Sequence, residues 1–156
     1  MNDSDHWLWR LSAQDWLDAA ARELEHGHEQ LRSRRTAVTH ARRAAGMALN
    51  GVLVTMITRG WSRERCENAW GRSYIDHLRS LAAGLEVGHE HLREPFDAEQ
   101  SARCRALLNV PVMPPSDLIR LARHKDEAAV TSLDTATALV HACAAVIDPE
   151  RPPACE

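Results

Sequence analysis

Histidine next to acid is the first chemistry this chain offers. It holds nine histidines in 156 residues, and three of them follow a glutamate by three positions: Glu23/His26, Glu25/His28 and Glu86/His89. Residues three apart share a helix face, and facing Glu-x-x-His pairs are how di-metal carboxylate bundles present ligands inward. Here the pairs sit at the ends of their expected helices, beside Gly27 and Gly88. A protonated imidazole is favoured there by the helix dipole with no metal present. The expectation is surface histidine, with no metal and no cofactor. A three-histidine metal centre would have to draw on His40, His77 and His141, which no common spacing selects. The chain has neither a Gly-x-Ser-x-Gly elbow nor a Gly-rich phosphate loop, so two motif-borne routes to group transfer are missing. Cys66, Cys104, Cys143 and Cys155 are far apart, form no Cys-x-x-Cys pair, and read as free thiols.

Charge is the second feature. From Gln30 to Arg63 there is no acid, yet seven arginines occur: Arg32, Arg34, Arg35, Arg42, Arg43, Arg59 and Arg63. The whole chain carries a net −3, so everything outside this window is strongly acidic. On a helical wheel Arg32, Thr36, Thr39, Arg43 and Asn50 fall opposite Val38, Ala45 and Val52, with Arg35 and Arg42 on the flank. That arrangement predicts a basic, hydroxyl-bearing stripe facing away from the core. Guanidinium forks match phosphate oxygens, so Arg32, Arg35 and Arg43, joined by His40, are candidate anion-binding residues. The competing reading pairs these arginines with acids of neighbouring helices such as Glu23, Glu25, Asp76 and Glu86.

The elements that must position these residues are helices. A first helix over Asp5–Leu31 is predicted by Ala13, Leu17, Ala20, Leu24 and Leu31, with Trp9 and Trp16 beside that stripe. A second spans Arg34–Arg59 through Val38, Ala41, Ala45, Leu49, Val52 and Met56, and Gly60 stops it. The two should be antiparallel neighbours. Ser62 caps a brief helix ending before Gly71, and Ser73-x-x-Asp76 opens a third with Ile75, Leu78, Leu81, Ala82 and Leu85 buried. After Gly88 and Pro95, Asp97-x-x-Gln100 caps a helix burying Ala102, Ala106 and Leu107. Three prolines make residues 109–116 a loop, and Ser116 caps a short helix through Arg123. The last long helix opens at Thr131-x-x-Asp134, buries Ala136, Leu139, Val140, Cys143 and Ile147, and ends at Pro149.

The fold class is therefore all-α: an up-and-down bundle of four long helices with short connecting helices. It forms one domain over residues 1–148, with a frayed tail over 149–156. The longest uncharged run, Ala44–Thr58, is shorter than a membrane span, and no secretory signal pattern opens the chain. No membrane association and a cytoplasmic location are expected.

In this order the elements resemble the HEPN domains, small prokaryotic helical bundles. Trp9-Arg-Leu-Ser-Ala13-Gln-Asp15-Trp16-Leu17-Asp-Ala19-Ala20 looks like the opening pattern of that family. His40-Ala41-Arg-Arg-Ala44-Ala45-Gly46-Met47-Ala48-Leu49 is similar to its alanine-rich second helix, although Gly46-Met47 stands where Glu-Lys is common and Arg42-Arg43 replaces paired glutamines. Tyr74-Ile-Asp76-His77-Leu78 resembles the His-Asp-Leu entry to the third helix with acid and imidazole exchanged. Thr135-Ala136-Thr-Ala138-Leu139 fits the closing helix. The resemblance implies a homodimer that binds a nucleotide, RNA or a small nucleotidyltransferase partner.

Catalytic members are metal-independent ribonucleases carrying Arg, four to six residues, then His. The imidazole moves the 2′-hydroxyl proton while the guanidinium steadies phosphate charge. That spacing occurs here at Arg22/His28, Arg34/His40, Arg35/His40 and Arg72/His77. With this many arginines and histidines about three such pairs are expected by chance. None lies in the late position of the family, where Arg120, Arg123 and His124 have other spacings. The reading is a non-catalytic binding or regulatory module, with Arg72/His77 or Arg120/Arg123/His124 as the ribonuclease alternative and a metal-dependent bundle enzyme as the second alternative.

Overall fold

The structure, a computed structural model, describes residues 6–113 and 125–152. Its helices are α1 (Ala13–His28), α2 (Arg34–Met56), α3 (Arg63–Asn68), α4 (Tyr74–Ala83), α5 (Ala98–Asn109) and α6 (Glu127–Ile147), with single 3-10 turns at Trp7–Arg10, Ile57–Arg59 and Glu90–Arg93. Among the described residues there is no strand, so the chain is an all-α helical bundle. Only α2 and α6 exceed twenty residues. One wall of the bundle is built from the two shorter helices α4 and α5, which the turn through Gly84 and Pro95 separates, in place of one long rod.

α2 is the central rod, packed against α1, α6 and α4. Its neighbours run in fixed senses. A Cβ at Gly51 would lie 2.9 Å from the Ala13 carbonyl, and one at Gly27 would lie 3.2 Å from His40 Cβ. The start of α1 thus meets the end of α2, and the reverse, so the pair is antiparallel. α6 runs with α2: Asp126 is ion-paired to Arg34 near both starts, and Arg59 donates to the Val146 carbonyl near both ends. The core fills from all three interfaces, with Leu17, Ala20, Ala41, Leu49, Leu78, Leu107, Leu133 and Leu139 among its buried members. α6 is also long and apolar enough by composition to cross a membrane. In this fold its Leu133, Ala136, Leu139 and Cys143 are buried against the other helices.

Local chemistry sets the helix ends. The expected first helix is interrupted because Ser12-x-x-Asp15 is itself a capping box: the Ser12 hydroxyl accepts from Asp15 N and the Asp15 carboxylate accepts from Ser12 N. A reciprocal cap of this kind starts a helix, so residues before it turn separately. Ser62, Ser73 and Asp97 cap α3, α4 and α5 as expected, and Gly60 at φ 91° ends the turn after α2. α6 opens earlier than expected, capped by Asp126, whose carboxylate accepts from Ala129 N. The Thr131-x-x-Asp134 pattern lies inside that helix, where the Thr135 hydroxyl bonds back to the Thr131 carbonyl. On α5 the buried face is Ser101, Cys104 and Leu107, while Ala102 and Ala106 are exposed. The small alanines there yield the core-facing arc to the larger sulfur and leucine side chains. The helix expected from Ser116 to Arg123 lies outside the described residues.

Candidate functional site

The stripe opposite the Val38/Ala45/Val52 face divides midway along α2. In the N-terminal half it reaches the surface. Arg32 and Arg35 are exposed and, among the described residues, have no ion-pair partner. Arg43 keeps nearly half of its side chain accessible, and its Nη2 is ion-paired with Glu23 Oε1 at 3.1 Å. His40 is half-buried, with Nδ1 2.7 Å from Glu23 Oε2. Glu23 is thus the hub: a buried carboxylate of α1 holding an imidazole on one oxygen and a guanidinium on the other. Its place on the buried face was legible, because Trp16, Ala20, Glu23 and Gly27 recur at spacings of four, three and four. His26, one turn beyond Glu23 on α1, brings its ring to 5.9 Å from that of His40.

Three other arginines of the basic window hold the fold together. Arg34 makes a two-point pair with Asp126, Nε to Oδ1 at 3.0 Å and Nη2 to Oδ2 at 3.1 Å. Arg42, predicted on the outer flank, donates to the carbonyls of Leu107, Leu108 and Val110. The last carbonyls of a helix have no intrahelical donor, so this guanidinium caps α5, and its desolvation there lowers its pKa. Arg59 does the same at α6 through the Val146 carbonyl. Sequence reasoning missed all three roles, because each partner lies far along the chain.

In the C-terminal half of α2 the stripe is interior. Asn50, expected to face outward, is completely buried. α4 crosses α2 at this point, with Tyr74 laid on Gly46, where a Cβ would collide with its ring. Asn50 then meets His77, another fully buried residue. His77 Nδ1 is 2.9 Å from the Trp70 carbonyl, and Nε2 is 2.8 Å from the Asn50 carboxamide. Burial pushes the pKa of His77 down, so the ring is neutral. A neutral imidazole that donates from Nδ1 to a carbonyl accepts at Nε2, which asks the Asn50 amide to present its NH2 group there. Trp7 stacks at 6.3 Å and Trp70 meets the ring edge-on at 6.1 Å, closing it from solvent.

These positions bear on two alternative readings of the sequence. His77 cannot take a proton from a bound ribose, because both its nitrogens are engaged inside the core. Its proposed partner Arg72 is exposed and lines a separate shallow cleft of about 300 Å³ with His6, Trp7, Glu67 and Asn68. The set His40, His77 and His141 is not assembled either. His77 sits beside Asn50, ten residues or about 15 Å of helix rise from His40, and His141 is exposed on α6. Arg120, Arg123 and His124 lie outside the described residues.

The remaining candidate chemistry is quiet. Cys66, Cys104 and Cys143 are buried free thiols. Burial raises all three pKa values, that of Cys104 to about 12, so none supplies a thiolate at neutral pH. Cys155 lies outside the described residues. Trp70 is core, Trp9 donates to Glu67, and the Arg65 guanidinium lies 3.7 Å over Trp61. No protein family, curated protein or solved structure matches this chain.

Proposed function

We propose that this protein is a non-catalytic, HEPN-like binding module, working as a cytoplasmic homodimer, that contacts the phosphates of a nucleotide or RNA through the N-terminal half of α2. The carrying observation is the division of labour among the arginines. Arg34, Arg42 and Arg59 are committed to internal partners, whereas Arg32 and Arg35 stand exposed and unpaired among the described residues. Arg43 uses one donor on Glu23 and keeps others. Arg35 and Arg43 on α2, with Arg32 in the turn just before the Ser33 cap, offer three guanidinium groups to phosphate, and Thr39 lies between Arg35 and Arg43 in sequence. His40 contributes by sharing the Glu23 carboxylate with Arg43. A small nucleotidyltransferase is the protein partner that the HEPN resemblance suggests. The buried state of His77 favours binding over RNA cleavage.

The test is RNA and nucleotide affinity measured across a salt series for the wild type and for Arg32→Ala/Arg35→Ala. Binding should weaken at least about tenfold in the double variant, with the log–log salt slope shallower by roughly 1.4 for single-stranded RNA. Equal affinity and equal slope in the two proteins would reject the proposal.

A further inference from the structure

The Glu23 hub holds more than an ion pair needs. Nδ1 of His40 already lies on one carboxylate oxygen at 2.7 Å. A second imidazole, His26, completes a set of three ligand atoms that all lie within 4.8 Å of one another. Among the described residues this is the one group of three such side chains able to share an ion. Its members come from two rods. Glu23 and His26 are three apart on α1, and His40 faces them from α2, where Gly27 allows the backbones to close until a Cβ would stand 3.2 Å from His40 Cβ.

We propose that Glu23, His26 and His40 form a three-ligand site for a divalent transition-metal ion of the Zn²⁺ class, with its fourth position open. Two imidazoles and one carboxylate are a ligand set suited to that ion. Tetrahedral ligands about 2.0 to 2.1 Å from zinc stand roughly 3.3 Å from each other. The widest separation here therefore closes by rotation of the exposed His26, while His40 and Glu23 open slightly from their hydrogen-bond distance. Arg43 strengthens the case: it holds Glu23 Oε1, which orients the carboxylate and leaves Oε2 toward the imidazoles, as the outer partners of metal ligands do. With three protein ligands, the ion's own fourth ligand would be water or an anionic oxygen. This site shares His40 and Arg43 with the phosphate surface above, but it does not rest on that reading, since metal binding needs neither Arg32 nor Arg35.

The test uses the full chain stripped of metal with a chelator, titrated with Zn²⁺ by calorimetry and with Co²⁺ by visible absorption. One equivalent should bind, Co²⁺ should show the intense visible bands of four-coordination, and Zn²⁺ should displace it. His26→Ala removes an exposed side chain and leaves the helices intact by circular dichroism, yet should weaken Zn²⁺ at least about 100-fold. His40→Ala should do the same, whereas His89→Ala, at the exposed Glu86/His89 pair, should bind like the wild type. Zinc should also raise the melting temperature of the wild type and not that of His26→Ala. The proposal falls if no stoichiometric binding occurs, if His26→Ala binds as well as the wild type, or if His89→Ala loses as much as His26→Ala. In those cases the cluster is an ion-pair network alone.

Discussion

Arg43 and Asn50 lie seven residues apart on α2 and differ by only about 20° around it, yet one has 47% of its side chain exposed and the other none. The two halves of a single rod thus have different environments at the same wheel angle. Around Arg43 guanidinium groups reach water over a buried carboxylate: Arg43 and His40 share Glu23, and Arg32 and Arg35 stand free of it. Around Asn50 the polar groups are sealed: His77 bridges the Trp70 carbonyl and one end of the Asn50 carboxamide between tryptophan rings, while the other end of that amide is buried without a partner among the described residues. Periodicity sets the angle of a side chain on its helix. Depth is set by what crosses above it, and here that is α4 seated on Gly46.

The sharpest way to break this contrast is at its buried end. His77→Ala empties a fully buried site and orphans both Asn50 and the Trp70 carbonyl, so it should cost about 3 kcal/mol in urea denaturation. A loss below about 1 kcal/mol would mean that the pair is not sealed. The same residue predicts a pH effect. The unfolded chain takes up a proton on this histidine near the ordinary histidine value of 6.5, while the folded protein, with the pKa lowered by burial, does so only at lower pH. Between those two values the unfolded state binds more protons, so stability is full above 6.5 and falls as the pH drops toward the lowered value. Denaturation curves at about pH 7.5 and about pH 5.5 should show this loss in the wild type and much less of it in His77→Gln. Asp15 and Asp76 have pKa values lowered from 3.8 by their Ser12 and Ser73 hydrogen bonds, so their contributions are lost only at more acid pH.

The boundary between the halves can be shifted next. Gly46→Ala gains helix propensity but drives a methyl into the Tyr74 ring, and overpacking should dominate by about 1 to 2 kcal/mol. A stabilised variant would show that α4 is not pressed onto α2 there. The smallest effect belongs to the exposed end. Arg43→Ala breaks one half-exposed ion pair and should cost under about 1 kcal/mol, despite sharing a stripe with Asn50. Equal losses for Arg43→Ala and Asn50→Ala would erase the distinction.

Much of this was readable in the chain. Ser62, Ser73 and Asp97 marked the starts of α3, α4 and α5, the last two with an acid or amide three residues on, because such caps depend on groups within one turn. Gly60 ended its helix for an equally local reason, its φ of 91°. The candidate site was readable in part. Arg43 was set on an outward arc with Arg35 on its flank, and both are exposed, whereas Arg32, set on the same arc, lies in the turn before the Ser33 cap; Glu23 was named among the acids that arginines would meet. Arg42 was placed on the outer flank, and its capping of α5 was not visible, since its carbonyl partners follow 65 to 68 positions later. His26 was read as a surface partner of Glu23 and His40 as an anion-binding residue, and their meeting was not visible for the same reason: only the closed α1/α2 hairpin puts their rings 5.9 Å apart.

What the order of residues determined alone is the helical class, the caps that start most of the rods, and the angle at which each side chain leaves its rod. Those are consequences of backbone hydrogen bonding and a 3.6-residue turn, which act within a few positions. Tertiary packing decided which polar groups are covered and which face solvent. It buried Asn50 with His77, gave Arg34 to Asp126, and gathered His26, His40 and Arg43 around Glu23. Burial and charge pairing depend on distance through space, and that distance exists only once the helices have closed on one another.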